Sequence, residues 1–202
     1  SEVEKSMIME IFWAAREDPI RYSYKTGKRY LETNNYITFF APVLKEIFPD
    51  AKFVHLIRHP GEFVRSGISR HYYTGKSMDA VRLSPETSEE KNDWAEMGQL
   101  SKVAWLWNET NRLIDHMMED LSGHQCKRFM INDMSLESVK DLLAFLEISL
   151  PDRAIRKSLP KKKNTQKHVL DPFSSWDSKE KEEVIRITSE LAETYGFSFQ
   201  NK

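Results

Sequence analysis

The residues best suited to chemistry lie in one stretch, Phe53-Val54-His55-Leu56-Ile57-Arg58-His59-Pro60-Gly61-Glu62-Phe63-Val64-Arg65-Ser66. Its opening is apolar at almost every position, as expected for a strand covered on both faces. Pro60 suits the first position of a following helix, because the N–H it lacks would be unpaired there and its φ is already helical. Strand, turn and helix in that order put Arg58 at the carboxyl end of the strand, where open α/β sheets bind ligands, and Ser66 one to two turns along the helix. A guanidinium offers a rigid fork of donors that matches phosphate oxygens, and a serine hydroxyl adds another. The pair predicts an anion site. The bland alternative is an ordinary strand-end arginine and a helix-surface serine. His55, inside the strand, reads as a satisfied core histidine, and Arg65 as solvated.

The elements that would position this pair follow from apolar spacing. Met7, Ile8, Ile11, Phe12 and Ala15 recur at helical intervals, predicting an amphipathic helix that stops near Asp18-Pro19. A short strand ending in Arg29-Tyr30-Leu31-Glu32 and a helix bearing Phe40, Val43, Leu44 and Ile47 come next, with Pro42 in that helix's first turn. Residues 74–93 are polar and read as a surface loop. One long helix is predicted from about Asp93 to Leu121, with the stripe Leu100, Val103, Trp107, Ile114, Met117 and Leu121. Arg128-Phe129-Met130-Ile131 reads as a strand, and Ser135 as the cap of a helix buried through Val139, Leu142, Leu143 and Leu146. Residues 160–172 form a second polar loop containing Lys161-Lys162-Lys163. A last helix opens on the capping sequence Asp177-Ser178-Lys179-Glu180 and ends at Gly196. Trp94, Trp105, Trp107 and Trp176 read as packing residues. The sequon Asn108-Glu109-Thr110 falls within a helix and is discounted.

With these elements in order, Arg58-x-Pro60-x5-Ser66 resembles the 3′-phosphate-binding motif of sulfotransferases that use 3′-phosphoadenosine 5′-phosphosulfate. In that family the matching Arg and Ser hold the donor's 3′-phosphate. The likeness extends to Tyr30-Leu31-Glu32-Thr33-Asn34 and Phe48-Pro49-Asp50-Ala51-Lys52-Phe53 upstream. Downstream it takes in Arg128-Phe129-Met130-Ile131-Asn132-Asp133, and the closing stretch with Lys163-Asn164-Thr165, Trp176 and Tyr195-Gly196-Phe197 is similar to the carboxyl end of bacterial and carbohydrate sulfotransferases. It therefore covers about residues 30–197. The resemblance implies an α/β, P-loop-like sulfotransferase fold, a parallel sheet flanked by helices, and transfer of a sulfuryl group to a hydroxyl or amine of a carbohydrate or small-molecule acceptor. It implies 3′-phosphoadenosine 5′-phosphosulfate as co-substrate and no metal. Arg58 and Ser66 would hold the 3′-phosphate, Lys163 and Asn164 in the late basic loop would add secondary contacts, and the loop 74–93 would form a wall of the acceptor site. His59 stands where the family often has Asp or Asn, so it reads as a turn residue and not as a base.

Two parts of the family pattern are not found. The family cradles the 5′-phosphosulfate in a Gly- and Ser-rich loop after its opening strand. Before Arg58 this chain has only Gly27, in Tyr24-Lys25-Thr26-Gly27-Lys28-Arg29. The expectations, in order, are a longer native protein carrying an upstream strand and loop, a loop supplied by another chain, and a member without transferase activity. On the first, residues 1–202 are a single sulfotransferase-like domain incomplete at its amino end. The family's base, a His or a Lys near residues 32–34, is also missing. Glu32 is the titratable group left there; it acts as a base if desolvation raises its pKa, and is otherwise a carboxylate paired with a Lys or Arg. The rival to an enzyme is a non-catalytic nucleotide-binding or interaction module of the same fold.

Composition bounds these readings. The 202 residues carry 30 Lys and Arg against 31 Asp and Glu, a formal net charge of -1, so no global field draws the chain to nucleic acid and any anion site must be local. Hydrophobic residues at 40% suffice for the core of one folded domain. The single cysteine, Cys126, excludes an intrachain disulfide scaffold and fits a reducing compartment. No run approaches the roughly 18 apolar residues of a membrane span, and the start lacks the layout of a signal peptide. A cytoplasmic location is expected, and oligomeric state is not legible.

Overall fold

A computed structural model describes residues 2–159 and 170–199. It is 64% helical, with a two-stranded parallel sheet among the described residues. α1 (Glu2–Lys25) is followed by an extended segment, a 3-10 turn at Asn35–Phe40 and α2 (Ala41–Ile47); β1 (Phe53–Ile57) leads into α3 (Pro60–Ser69). A 3-10 turn at Ser77–Val81 precedes α4 (Ser88–Glu96) and α5 (Gln99–Glu119). Then come β2 (Cys126–Met130), α6 (Leu136–Phe145), α7 (Asp152–Ser158) and α8 (Ser178–Thr194).

The chain divides into two compact units: residues up to 53 with 114–126, and residues 54–113 with 127 onward. The first has a core of Ala41, Met117 and Met118, joined by Phe53, Ile114 and Leu121. An aromatic cluster also belongs to it, in which the Phe12 ring lies 6.2 Å from Phe40 and 6.0 Å from Phe48. In the second, Val64, Val103, Ala104, Phe173 and Val184 form one cluster, and Ile57, Trp107, Ala192 and Tyr195 another. Together these bury one side of α3 against α5 and α8.

Several predicted elements form as read. Pro42 sits in the first turn of α2, Pro60 opens α3, Ser135 caps α6 by accepting from the Ser138 N–H, and Asp177 caps α8 by accepting from the Glu180 N–H. Others differ. α1 does not stop at Asp18-Pro19 but runs through the proline to Lys25. The carbonyl that Pro19 cannot serve, that of Ala15, instead accepts from Arg16 Nη1 at 3.0 Å. The expected strand at Arg29–Glu32 has no regular secondary structure and joins no ladder. The loop 74–93 is partly helical: Thr87 accepts from the Glu90 N–H and Glu90 returns a carboxylate to the Thr87 N–H, a capping box that starts α4. The single helix expected over 93–121 is therefore two, broken where Met97 turns extended before Gly98.

The sheet is smaller than expected, and β1 is not covered on both faces. His55 and Ile57 are buried while Leu56 is 56% exposed, since strand side chains alternate and the helices of this unit cover one side. Lys163, Asn164 and most of the second polar loop lie outside the described residues.

Candidate anion site at the end of the first strand

The turn between β1 and α3 is fixed from three directions. Ile57, fully buried, ends the strand among Trp107, Ala192 and Tyr195. Trp107 Nε1 donates to the Arg58 carbonyl at 2.9 Å, and the His59 N–H donates to Asn132 Oδ1 at 3.0 Å. His59 then caps α3, its Nδ1 accepting from the Gly61 N–H at 3.2 Å. Its ring lies 5.3 to 6.0 Å from those of Phe197, Phe199 and Phe173. Burial in that aromatic setting pulls its pKa below the usual 6.5, with Glu62 and the Ser198 backbone opposing. With Nδ1 committed to the Gly61 N–H, His59 serves the turn as the cap of α3.

Two glycines let α3 approach its neighbours. A Cβ at Gly61 would come within 2.3 Å of the Phe173 ring, and one at Gly67 within 2.5 Å of Val103. The helix is thus seated on fixed neighbours, and the residues on its other side can be held in place.

On that side lie the charged groups. The Arg58 side chain is 37% exposed and meets Glu62 at 3.6 Å, one turn along. Glu62 also meets Arg65, at 3.2 Å. The Arg65 side chain is only 20% exposed, so it is not the solvated surface residue expected; a spacing of three along α3 brings Glu62 and Arg65 together, and Arg58 reaches Glu62 from the turn before the helix. Burial lowers the Arg58 pKa, Glu62 raises it, and the positive charges of Arg65 and Arg70 lower it further. Two guanidiniums therefore share one carboxylate, an excess of positive charge. Ser66 is half-buried, and among the described residues its hydroxyl has no hydrogen-bond partner.

Glu32 belongs to the other unit. Its carboxylate accepts from Arg16 Nε at 2.5 Å, from the Tyr30 hydroxyl at 2.7 Å and from the Asn34 N–H at 3.0 Å. Burial acts to raise its pKa, but these three donors and the Arg16 charge outweigh it, leaving Glu32 below the ordinary carboxylate value. Tyr30 is pushed up to about 12 by burial and by its bond to that carboxylate. Of the two roles open to Glu32, the structure displays the ion-paired one; the raised pKa that a base would need is not present.

His55 is a core residue, buried, with Nε2 at 2.7 Å from Asn111 Oδ1. Asn108 is buried and donates to the Ile187 carbonyl, which closes the sequon to modification in this fold. Among the described residues no group of three or more His, Cys, Asp or Glu side chains could hold a metal ion, and no helix is long and apolar enough to cross a membrane. Sequence reasoning overlooked Trp107 and Asn132, which hold the turn, because partners so distant along the chain leave no local signal. Glu62 and Arg65 did leave one, at offsets of four and seven from Arg58.

Searches against family models, curated proteins and solved structures each return no match.

Proposed function

We propose that this chain binds the 3′-phosphate of an adenosine nucleotide through Arg58 and Ser66, and that it is a sulfotransferase-like domain of P-loop-like fold. The observation that carries this reading is a 37% exposed guanidinium at a strand's carboxyl end, followed on the next helix by a serine whose hydroxyl has no hydrogen-bond partner among the described residues. The co-substrate, 3′-phosphoadenosine 5′-phosphosulfate, would supply an activated sulfuryl group for a hydroxyl or amine of a carbohydrate or small-molecule acceptor. Arg58 neutralises charge on the nucleotide, Ser66 donates to the same phosphate, and the fixed turn keeps both in register. Lys163 and Asn164 would add contacts from the late basic loop. Residues 74–93, ordered by their own capping bonds, would wall the acceptor.

The test is calorimetric titration with 3′,5′-adenosine bisphosphate. Binding should weaken about tenfold or more in Arg58→Ala, as for loss of a charge-assisted pair, and less in Ser66→Ala. Absence of binding, or binding indifferent to Arg58, overturns the reading.

A second reading, a module that binds the nucleotide without transferring sulfate, is favoured by the ion pair that Glu32 forms with Arg16 and by its lowered pKa. Binding without sulfated product from the complete native protein would select it. If that protein is active and Glu32→Gln keeps full turnover, Glu32 has no part in proton transfer.

A further inference from the structure

Arg58, in the turn that leads into α3, meets its own competitor on the first turn of that helix. Glu62 stands between Arg58, at 3.6 Å, and Arg65, at 3.2 Å, so a single carboxylate oxygen, Oε2, meets one nitrogen of each guanidinium. Neither contact is short, and the Glu62 side chain is 27% exposed, leaving it room to turn toward water. Arg65 is held more closely within the protein than Arg58, at 20% exposed. Arg70, at the end of the same helix, adds positive charge with no ion pair among the described residues.

We infer that Glu62 is a displaceable internal counterion and that Arg65 is a second phosphate ligand: a phosphate dianion takes both guanidiniums from the single carboxylate, which swings out to solvent. The proposal deepens the nucleotide-binding reading above and rests on it. A phosphate monoester carries up to two charges and three terminal oxygens, against one charge and two oxygens on Glu62, so it matches two forks better than the carboxylate does. The exchange is selective. A singly charged anion, such as a sulfate monoester or a phosphodiester, gains little over the carboxylate it must displace. A terminal phosphate gains a charge. Glu62 thus sets a threshold that favours a 3′-phosphorylated nucleotide over one whose 3′-hydroxyl is free.

The experiment is titration of the whole chain with 3′,5′-adenosine bisphosphate and with adenosine 5′-phosphosulfate, which has a free 3′-hydroxyl and no terminal phosphate dianion, in wild type, Glu62→Gln, Arg65→Gln and Arg58→Ala. Glu62→Gln keeps the shape and removes the competing charge. It should tighten the bisphosphate by about three- to tenfold, the range expected for releasing two partly exposed ion pairs. Arg65→Gln should weaken it by about tenfold, and neither change should move adenosine 5′-phosphosulfate comparably. Circular dichroism and melting curves establish that each variant is folded; should Glu62→Gln fail to fold, Glu62→Ala takes its place with the same expected sign. If Glu62→Gln binds no more tightly than wild type while Arg58→Ala binds more weakly, the counterion proposal is overturned and the 3′-phosphate reading stands. If wild type does not bind the bisphosphate, or Arg58→Ala leaves binding unchanged, both fall.

Discussion

His59 shows how much a single side chain contributes to this turn. Its Nδ1 serves the Gly61 N–H, so the cap exists only while the ring is neutral on that side. Replacing it with Ala should cost about 1 kcal/mol for the cap, with a further loss from ring packing, whereas His59→Asp should keep the cap and favour the helix dipole. Urea unfolding of the two variants checks the order. The same bond makes stability pH-dependent. With the folded pKa below the usual 6.5, the contribution is present above pH 6.5 and is lost as the pH falls through the lower, folded value, because protons then bind the unfolded chain more readily. The slope of stability between pH 7.5 and 5 should flatten in His59→Asn; an unchanged slope would assign it elsewhere. Gly61 makes a steric demand of the same turn. A Cβ 2.3 Å from Phe173 requires the ring or the helix to shift, so Gly61→Ala should destabilise by about 1–3 kcal/mol, with bisphosphate affinity falling in parallel.

At the scale of elements, the link after α3 is the clearest case of a loop that is built and not merely tolerated. His71 and Tyr73 both take left-handed backbone, at φ 56° and 55°, which costs energy in side-chain-bearing residues. Asp79 offsets that cost by accepting from the N–H groups of Tyr73, Gly75 and Lys76 and from Arg82. Arg82 in turn lies 3.5 Å above the Tyr72 ring. Asp79→Ala should destabilise by about 1–3 kcal/mol through several orphaned donors, and limited proteolysis should then cut within residues 70–83; resistance equal to wild type would contradict this. Such a segment explains where sequence reading succeeded. Pro60, Ser135 and Asp177 act on neighbours within three residues, so their caps could be read directly. The Thr87–Glu90 box is equally local and was hidden only by the polar composition around it. Continuation of α1 past Pro19 depends on where the Arg16 side chain turns, and the unladdered Arg29–Glu32 segment on a partner strand that composition does not specify. The anion site divides the same way: Arg58, Ser66 and the Glu62 spacing are local, whereas the support from Trp107 and Asn132 exists only once the chain has folded.

At the scale of the whole molecule, charge is the informative quantity. A formal net charge of -1 spread over 202 residues gives no long-range attraction for polyanions, while Arg58, in the turn before α3, and Arg65, on that helix, gather positive charge about the single carboxylate of Glu62. Two consequences differ in their salt response. A global basic field would bind duplex nucleic acid, with affinity falling steeply as several counterions are released. A local cluster binds one small anion, and its affinity falls modestly, because part of each guanidinium is shielded by protein from a salt atmosphere about 10 Å deep at 0.1 M. The affinity for 3′,5′-adenosine bisphosphate should therefore drop by roughly tenfold or less between 0.05 and 0.5 M salt, and a 20-base-pair duplex should not compete at the lower salt. Fluorescence competition decides between them. Displacement of the bisphosphate by the duplex would mean that the positive surface extends well beyond the face of α3, and the selective phosphate site argued from Arg58, Glu62 and Arg65 would give way to a general polyanion surface.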